Sequence, residues 1–307
     1  MPAIDFSDTF GLVDVRELQY FVAVAEARNF TKGASRVDVV QSTVSAAVSR
    51  LEREVGQPLF VRGGRTAELT EAGRVLLRHA RTVTAQLRVA HEELANLQGD
   101  VTGTVTLGTV LSTGDLDLTA TLVTFRQRYP NVEVRVRLTP GNDGQHAEAI
   151  AEGLVDLALL PHDGERPGVK STPVGHVQLG LATTVDDPLA AAENVGYDAV
   201  STRAFVDFPT DWGNRRVVDA MFRSAGVQRR ISVEVNDVDT AVRFTAAGIG
   251  LCFLPTTVIG AAPRLALVDL AQPPPRHVLG VMVAADRPAS PATQALHRAL
   301  VNGRHRH

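Results

Sequence analysis

Cysteine, lysine and tryptophan are scarce in this chain of 307 residues. A single cysteine, Cys252, excludes a disulfide framework and any zinc site built on several thiolates. That usage suits a reducing cytoplasm, where the chain is expected. Only Lys32 and Lys170 among the 31 basic residues are lysines. Positive charge is not in excess either. The net charge is -3, so no global basicity advertises a nucleic acid or a membrane surface, and any DNA-binding face must be local. Long hydrophobic runs are missing: the longest uncharged stretch, Phe244 to Pro263, is broken by Gly248, Gly250, Pro255 and Gly260. The opening MPAIDFSDTF carries acids where a secretion signal would carry basic residues. No G-x-x-x-x-G-K, G-x-S-x-G or H-E-x-x-H motif is found. Gly248 and Gly250 lack the third glycine of a dinucleotide fingerprint, and Arg304 to His307 reads as a frayed tail. No cofactor or metal is expected.

What is present is ordinary globular composition, 44% hydrophobic and 21% charged, enough for two or three compact units. Residues 1–13 show no period and read as a disordered tail. Leu18, Phe21, Val22 and Ala25 then mark one face of a helix. Thr31 is the expected N-cap of a short second helix. A third runs from about Gln41 to Val55 with Val44, Val48 and Leu51 inward, and Gly56 stops it. Three short helices with tight turns form a helix-turn-helix pattern. Leu59–Val61 and Ala67–Leu69, joined at Gly63-Gly64, read as a hairpin wing with Arg62 and Arg65 beside its tip.

Thr70 caps the next helix. Leu76, Ala80, Val83, Leu87, Ala90, Leu94 and Leu97 alternate in steps of four and three, an a/d seam of about three heptads. Such a stripe needs a partner, and a second copy of the chain is the simplest. The alternative is that it packs on its own chain.

Beyond Val101 strands alternate with helices, which implies a mostly parallel sheet in an α/β fold. The chain is expected to cross into a second lobe near Pro167-Gly168 and to return near Asp269. The resulting division is a winged helix-turn-helix at 14–69, a coiled-coil linker helix at 70–98, and an α/β domain at 101–302. Lobe I of that domain takes 101–167 and 269–302, and lobe II takes 168–268.

The N-terminal motifs are Phe21, Phe30-Thr31, Ala34, Gln41 with Ser45, Arg50-Leu51-Glu52, Pro58-Leu59-Phe60, Leu69-Thr70 and Ala72-Gly73. Looser ones follow: Tyr129-Pro130, Gly153 before Val155-Asp156-Leu157, and Ala247 to Gly250 with Leu254-Pro255. Together they resemble the LysR-type transcriptional regulators over residues 14 to about 300. The resemblance implies an all-α winged helix-turn-helix followed by a two-lobed, periplasmic-binding-protein-like effector domain. It also implies a non-enzymatic, sequence-specific regulator on double-stranded DNA. Such a regulator acts as a homodimer or homotetramer on inverted repeats, answers to a small-molecule effector such as an organic acid, and has RNA polymerase as a compatible further partner and no membrane role. Three departures from the family pattern stand out. Val40 replaces a usual Ser or Thr cap, Ala46 and Ala47 stand where Arg and Gln are common, and Gly33 replaces a common Ala at a cost of roughly 1 kcal/mol.

The DNA-facing residues follow from chemistry as well. Gln41, Ser42, Thr43 and Ser45 crowd the N-terminal end of the third helix, where short polar side chains reach major-groove edges. Ser49 and Arg50 lie one turn later, and Arg50 is expected on a phosphate or a guanine. Lys32, Arg62 and Arg65 are expected on flanking phosphates. The alternative is a solvated polar face. For the effector, Ser112-Thr113-Gly114 and Gly141-Asn142 follow strands of lobe I. Phe205, Phe208, Thr210, Trp212, Arg215 and Asn236 are expected to supply an apolar wall, polar groups and a cation across the cleft. Ordinary core is the alternative for the aromatic residues. Asp115 and Asp117 disfavour an anion unless they face away. Two rivals remain. A solute-binding module would need export, and an enzyme on the α/β half would need a catalytic constellation.

Overall fold

The computed structural model describes residues 13–61, 66–97, 101–109, 113–138, 148–162 and 166–303. The chain divides into two units, one formed chiefly by residues up to Leu94 and the other chiefly by residues from Ala95 onward. Among the described residues no helix is long and apolar enough to cross a membrane.

The first unit holds α1 (Val15–Ala27), α2 (Phe30–Arg36), α3 (Gln41–Val55) and α4 (Glu71–Asn96). Val13, placed in the tail by its lack of pattern, packs on this unit's core. Asp14 caps α1 through the Arg16 N–H. The cap of α2 is Asn29 and not Thr31, because the Asn29 carboxamide accepts from Lys32 N at 2.9 Å and starts the helix two residues earlier. Val40 offers α3 no side-chain cap, as its apolar side chain implies. Thr70 caps α4 as expected, accepting from Gly73 N at 3.0 Å while donating to the Pro58 carbonyl at 2.7 Å.

Phe21, Val24, Val44, Leu51 and Leu59 form the centre of this core, with Phe60 set edge-on to Phe21 and Phe30. Two glycines let backbones meet here. A methyl on Gly33 would lie 2.8 Å from Val24 Cα, so α2 sits flush on α1 and the glycine meets a packing need rather than weakening a helix. A methyl on Gly73 would lie 2.1 Å from the Leu59 carbonyl oxygen, so the start of α4 rests directly on the wing strand. That strand pairs antiparallel through Phe60 and Leu69.

The second unit runs β1 (Gly103–Thr109), α5 (Leu118–Arg128), β2 (Val132–Leu138), β3 (Leu157–Pro161), β4 (Val169–Val177), β5 (Leu179–Thr184), α6 (Tyr197–Ser201), β6 (Ala204–Asp207), α7 (Gly213–Ser224), β7 (Arg230–Glu234), α8 (Val238–Ala246), β8 (Cys252–Pro255), α9 (Thr256–Ala261), β9 (Leu265–Leu267), β10 (His277–Ala284) and α10 (Pro291–Asn302). One lobe is a five-stranded sheet in the order β2-β1-β3-β10-β4, with β1 parallel to β2 and β3, and β10 antiparallel to β3 and β4. Its core joins Leu107, Phe125, Leu159, Val281 and Leu296. The other lobe holds the antiparallel β8-β5-β9 sheet and the parallel pair β6-β7.

The lobe boundary differs from the expectation. Residues 169–177 still pair with β10, so the outgoing chain leaves the first sheet at Gln178, ten residues beyond Gly168. Sequence patterning marks neither β4 nor β5, because Pro173, Gly175 and Gly180 punctuate them. The edge position of β4 tolerates its proline. The returning chain crosses through Pro273, Pro274 and Pro275, and Gln178 Nε2 donates to the Pro274 carbonyl.

Candidate functional site

The surface expected to face DNA is the N-terminal end of α3, which is exposed. Gln41, Ser42 and Thr43 are exposed there and Ser45 is half-buried. Gln41 Nε2 donates to Ser45 Oγ at 3.1 Å, which joins two of the expected base-reading groups into one unit. Ser49 and Lys32 are exposed as well. Ala46 is exposed but Ala47 is fully buried, so only the first of these two alanines faces outward. Arg62 and Arg65 lie outside the described residues.

Arg50 departs from its expected role. Its Nε donates to Glu17 Oε1 at 2.6 Å, and Glu17 is buried on α1. That hydrogen bond, then the charge of Glu17, holds the Arg50 guanidinium above its ordinary pKa. Arg50 thus ties α3 to α1. Glu52 was not anticipated as a working residue. Its Oε1 accepts from the backbone N–H groups of Leu59, at 2.7 Å, and Phe60, at 3.3 Å, which seats the wing strand on α3. The Arg-Leu-Glu string held the only signal for both roles.

The α4 seam splits in two. Leu76 and Ala80 belong to the core of the first unit, Ala80 being fully buried, so they pack within the chain. Val83, Leu87, Ala90, Leu94 and Leu97 are exposed, with Leu94 at 65% and Leu97 at 82%.

In the second unit the expected effector wall proves to be core. Phe205 and Phe208 are 1% exposed and Trp212 is 6% exposed. Phe205 stacks on Phe253, and Phe208 stacks on Trp212 at 5.1 Å. Arg215 is not an available cation. Its Nη1 donates to the Phe208 carbonyl at 2.7 Å and its Nε to Asp219 at 2.9 Å, with Asp207 at 3.5 Å. Arg229 closes this buried network onto Asp207 and Asp219. Asp219 lies one helical turn from Arg215 on α7, a signal the sequence held, and Asp207 comes from the end of β6. Thr210 and Asn236 are exposed. Thr113 Oγ1 donates to the Leu116 carbonyl at 2.9 Å, closing the turn before α5. Ser112, Gly141 and Asn142 lie outside the described residues.

A cavity of about 300 Å³ opens instead where the chain crosses between lobes, lined by Gly114, Asp115, His176, Gln178, Thr256, Thr257 and Arg276. Asp115 is its hub: Oδ1 accepts from His176 N, and Oδ2 lies 3.2 Å from Arg276 Nη2 and 3.5 Å from His176 Nδ1. Gly114 takes φ +59°, and a methyl there would collide with the His176 carbonyl oxygen. Asp117 caps α5 through Ala120 N at 2.8 Å. Both acids that seemed to oppose an anion are therefore engaged. The guanidinium, imidazole and hydroxyls around the cavity suit a small polar molecule. The misplaced crossing hid these residues, although the three prolines before Arg276 were the available signal.

Known proteins agree with this architecture. Residues 15–74 match the family of bacterial regulatory helix-turn-helix proteins of the lysR type. Residues 98–304 match the LysR substrate binding domain. A probable RuBisCO transcriptional regulator from Synechocystis sp. is 30% identical over 93% of this chain and 85% of its own. A full-length OxyR variant from Pseudomonas aeruginosa shares the fold with a TM-score of 0.73 at 18% identity, over 95% of this chain and 94% of its own. Full-length CbnR complexed with its target DNA does so with a TM-score of 0.64 at 21% identity, over 94% of this chain and 99% of its own. The chain belongs to the LysR family of transcriptional regulators, with a helix-turn-helix DNA-binding head and an effector-binding domain.

Proposed function

We propose that the chain regulates transcription as a homodimer, or a tetramer built from such dimers, on inverted-repeat DNA. The exposed row Val83, Leu87, Ala90, Leu94 and Leu97 carries this reading. Burying a leucine contributes about 1.5–3 kcal/mol, and an identical helix matches the heptad spacing. Pairing two chains sets two α3 helices toward successive half-sites. Gln41, Ser42, Thr43 and Ser45 read bases, while Lys32, Ser49, Arg62 and Arg65 hold phosphates. Arg50 and Glu52 position these groups. The DNA-bound state of CbnR, which shares this fold, supports the assignment.

The effector site in this reading is the cavity at the crossovers, where a ligand contacts both lobes. A ligand that favours one lobe angle shifts DNA affinity, and DNA shifts ligand affinity by the same factor. The protein acts as a binding protein rather than a catalyst, and DNA as partner places it in the cytoplasm.

The test is fluorescence anisotropy on the DNA upstream of the protein's own gene at two salt concentrations. Specific affinity should fall with salt. Gln41→Ala should change sequence preference, whereas Arg65→Ala should weaken binding to all duplexes. A Leu87→Lys/Leu94→Lys variant should sediment as a single protomer and lose the palindromic site. Equal losses on all DNA from both head variants, or a single protomer that binds as tightly as the parent, would overturn the reading.

A further inference from the structure

We infer that the groove between α5 and α10 is a second ligand site, built for a small organic anion and separate from the cavity at the crossovers. The groove encloses about 630 Å³, within the range of small-molecule sites. Phe125, Ala295 and Ala299 give it an apolar floor. Phe125 is buried, and its ring lies 5.1 Å from that of Tyr129, which fixes the phenol at one end.

Two arginines meet at that phenol. Arg128 Nε donates to Tyr129 Oη at 3.3 Å, and Arg298 lines the same groove close enough for its charge to act on that phenol. With its oxygen accepting, Tyr129 keeps its own proton to give. The Arg128 hydrogen bond, with the charges of Arg128 and Arg298, holds the phenol below its ordinary pKa despite some burial. Among the described residues neither guanidinium pairs with a carboxylate. Two like charges and a hydroxyl donor thus lie at one end of a groove whose one described acid, Asp117, stands at the other end. An added carboxylate would accept from all three.

Helix electrostatics account for one of these arginines only. Arg128 lies in the last turn of α5, where a cation complements the helix dipole. Arg298 comes from the interior of α10 and has no such reason to be there. Asp117, the acid that lines the groove, stands at the other end of α5, about 15 Å away by helical rise. Its carboxylate is held by the Ala120 N–H. The ligand class follows: a carboxylate head at the arginine end and a short apolar or aromatic body over Phe125 and the alanines.

The test is calorimetric titration of the full chain with phenylacetate, phenylacetamide and inorganic phosphate. Phenylacetate should bind saturably, and the neutral amide about tenfold more weakly or worse. Arg128→Gln/Arg298→Gln changes exposed side chains only and should weaken phenylacetate about tenfold or more. Tyr129→Phe should weaken it less. Arg276→Gln, in the cavity at the crossovers, should leave it unchanged. The inference fails if Arg276→Gln removes binding while the double variant keeps it, if phosphate competes as well as phenylacetate, or if no saturable binding is found.

Discussion

Removing the Glu52 carboxylate should unseat the wing without unfolding the rest of the protein. The carboxylate is the acceptor for two backbone N–H groups, those of Leu59 and Phe60. Leu59 is fully buried and Phe60 is 6% exposed, so water cannot readily replace that acceptor. An orphaned buried donor costs about 1–3 kcal/mol. The 2.7 Å bond carries most of the effect and the 3.3 Å bond less, giving about 2–4 kcal/mol for Glu52→Ala. Hydrogen exchange reads this directly, as protection lost at the Leu59 and Phe60 amides by about 30- to 1,000-fold. Glu52→Gln keeps a carbonyl acceptor and should retain most of the protection. Amides of α10, in the other unit, serve as the internal reference. If exchange at Leu59 and Phe60 in Glu52→Ala stays within about threefold of the parent, the carboxylate does not hold the strand and the reasoning is refuted.

Three further outcomes are expected. Gly73→Ala should lower the melting temperature of the head more than Gly33→Ala, because its methyl meets a backbone oxygen at 2.1 Å rather than a backbone carbon at 2.8 Å. Overpacking of this kind costs about 1–3 kcal/mol, and the reverse order would contradict the geometry. Cys252 is fully buried and burial pushes its thiol pKa upward, so a disulfide reagent should label it only at the rate of unfolding. Rapid labelling of the native protein counts against that placement. Burial, then the charge of Arg298, lowers the pKa of His297 below its ordinary value. The unfolded chain therefore binds a proton more readily, and denaturant stability should decline as pH falls through the ordinary imidazole range. His297→Gln should flatten that decline, and an unchanged slope would assign it to other groups.

The head was legible because its information is local. The apolar period placed α3 at Gln41–Val55, and Thr70 announced the start of α4. Local period does not name the partner of a stripe, however. Leu76 and Ala80 continue the same heptads as Leu87 and Leu94, yet they fill the head's own core. Gly33 shows the converse, since a weak helix former in sequence is a close helix contact in space. The effector lobe was harder to read. An aromatic residue after a strand looks the same whether it lines a cleft or fills a core, and only tertiary packing made Phe208 and Trp212 core. Arg215 seemed a ligand cation until Asp207 and Asp219 converged on it. The cavity at the crossovers depends on residues as distant as Asp115 and Arg276, whose meeting follows from topology alone.

The missing side chain at Gly73 has a mechanical consequence. With no side chain between the start of α4 and the Leu59 backbone, the two meet backbone to backbone and the first turn of the rod bears directly on the wing strand. If two chains pair along this rod as proposed, a twist of the rod near Gly73 is expected to carry the Leu59 strand with it.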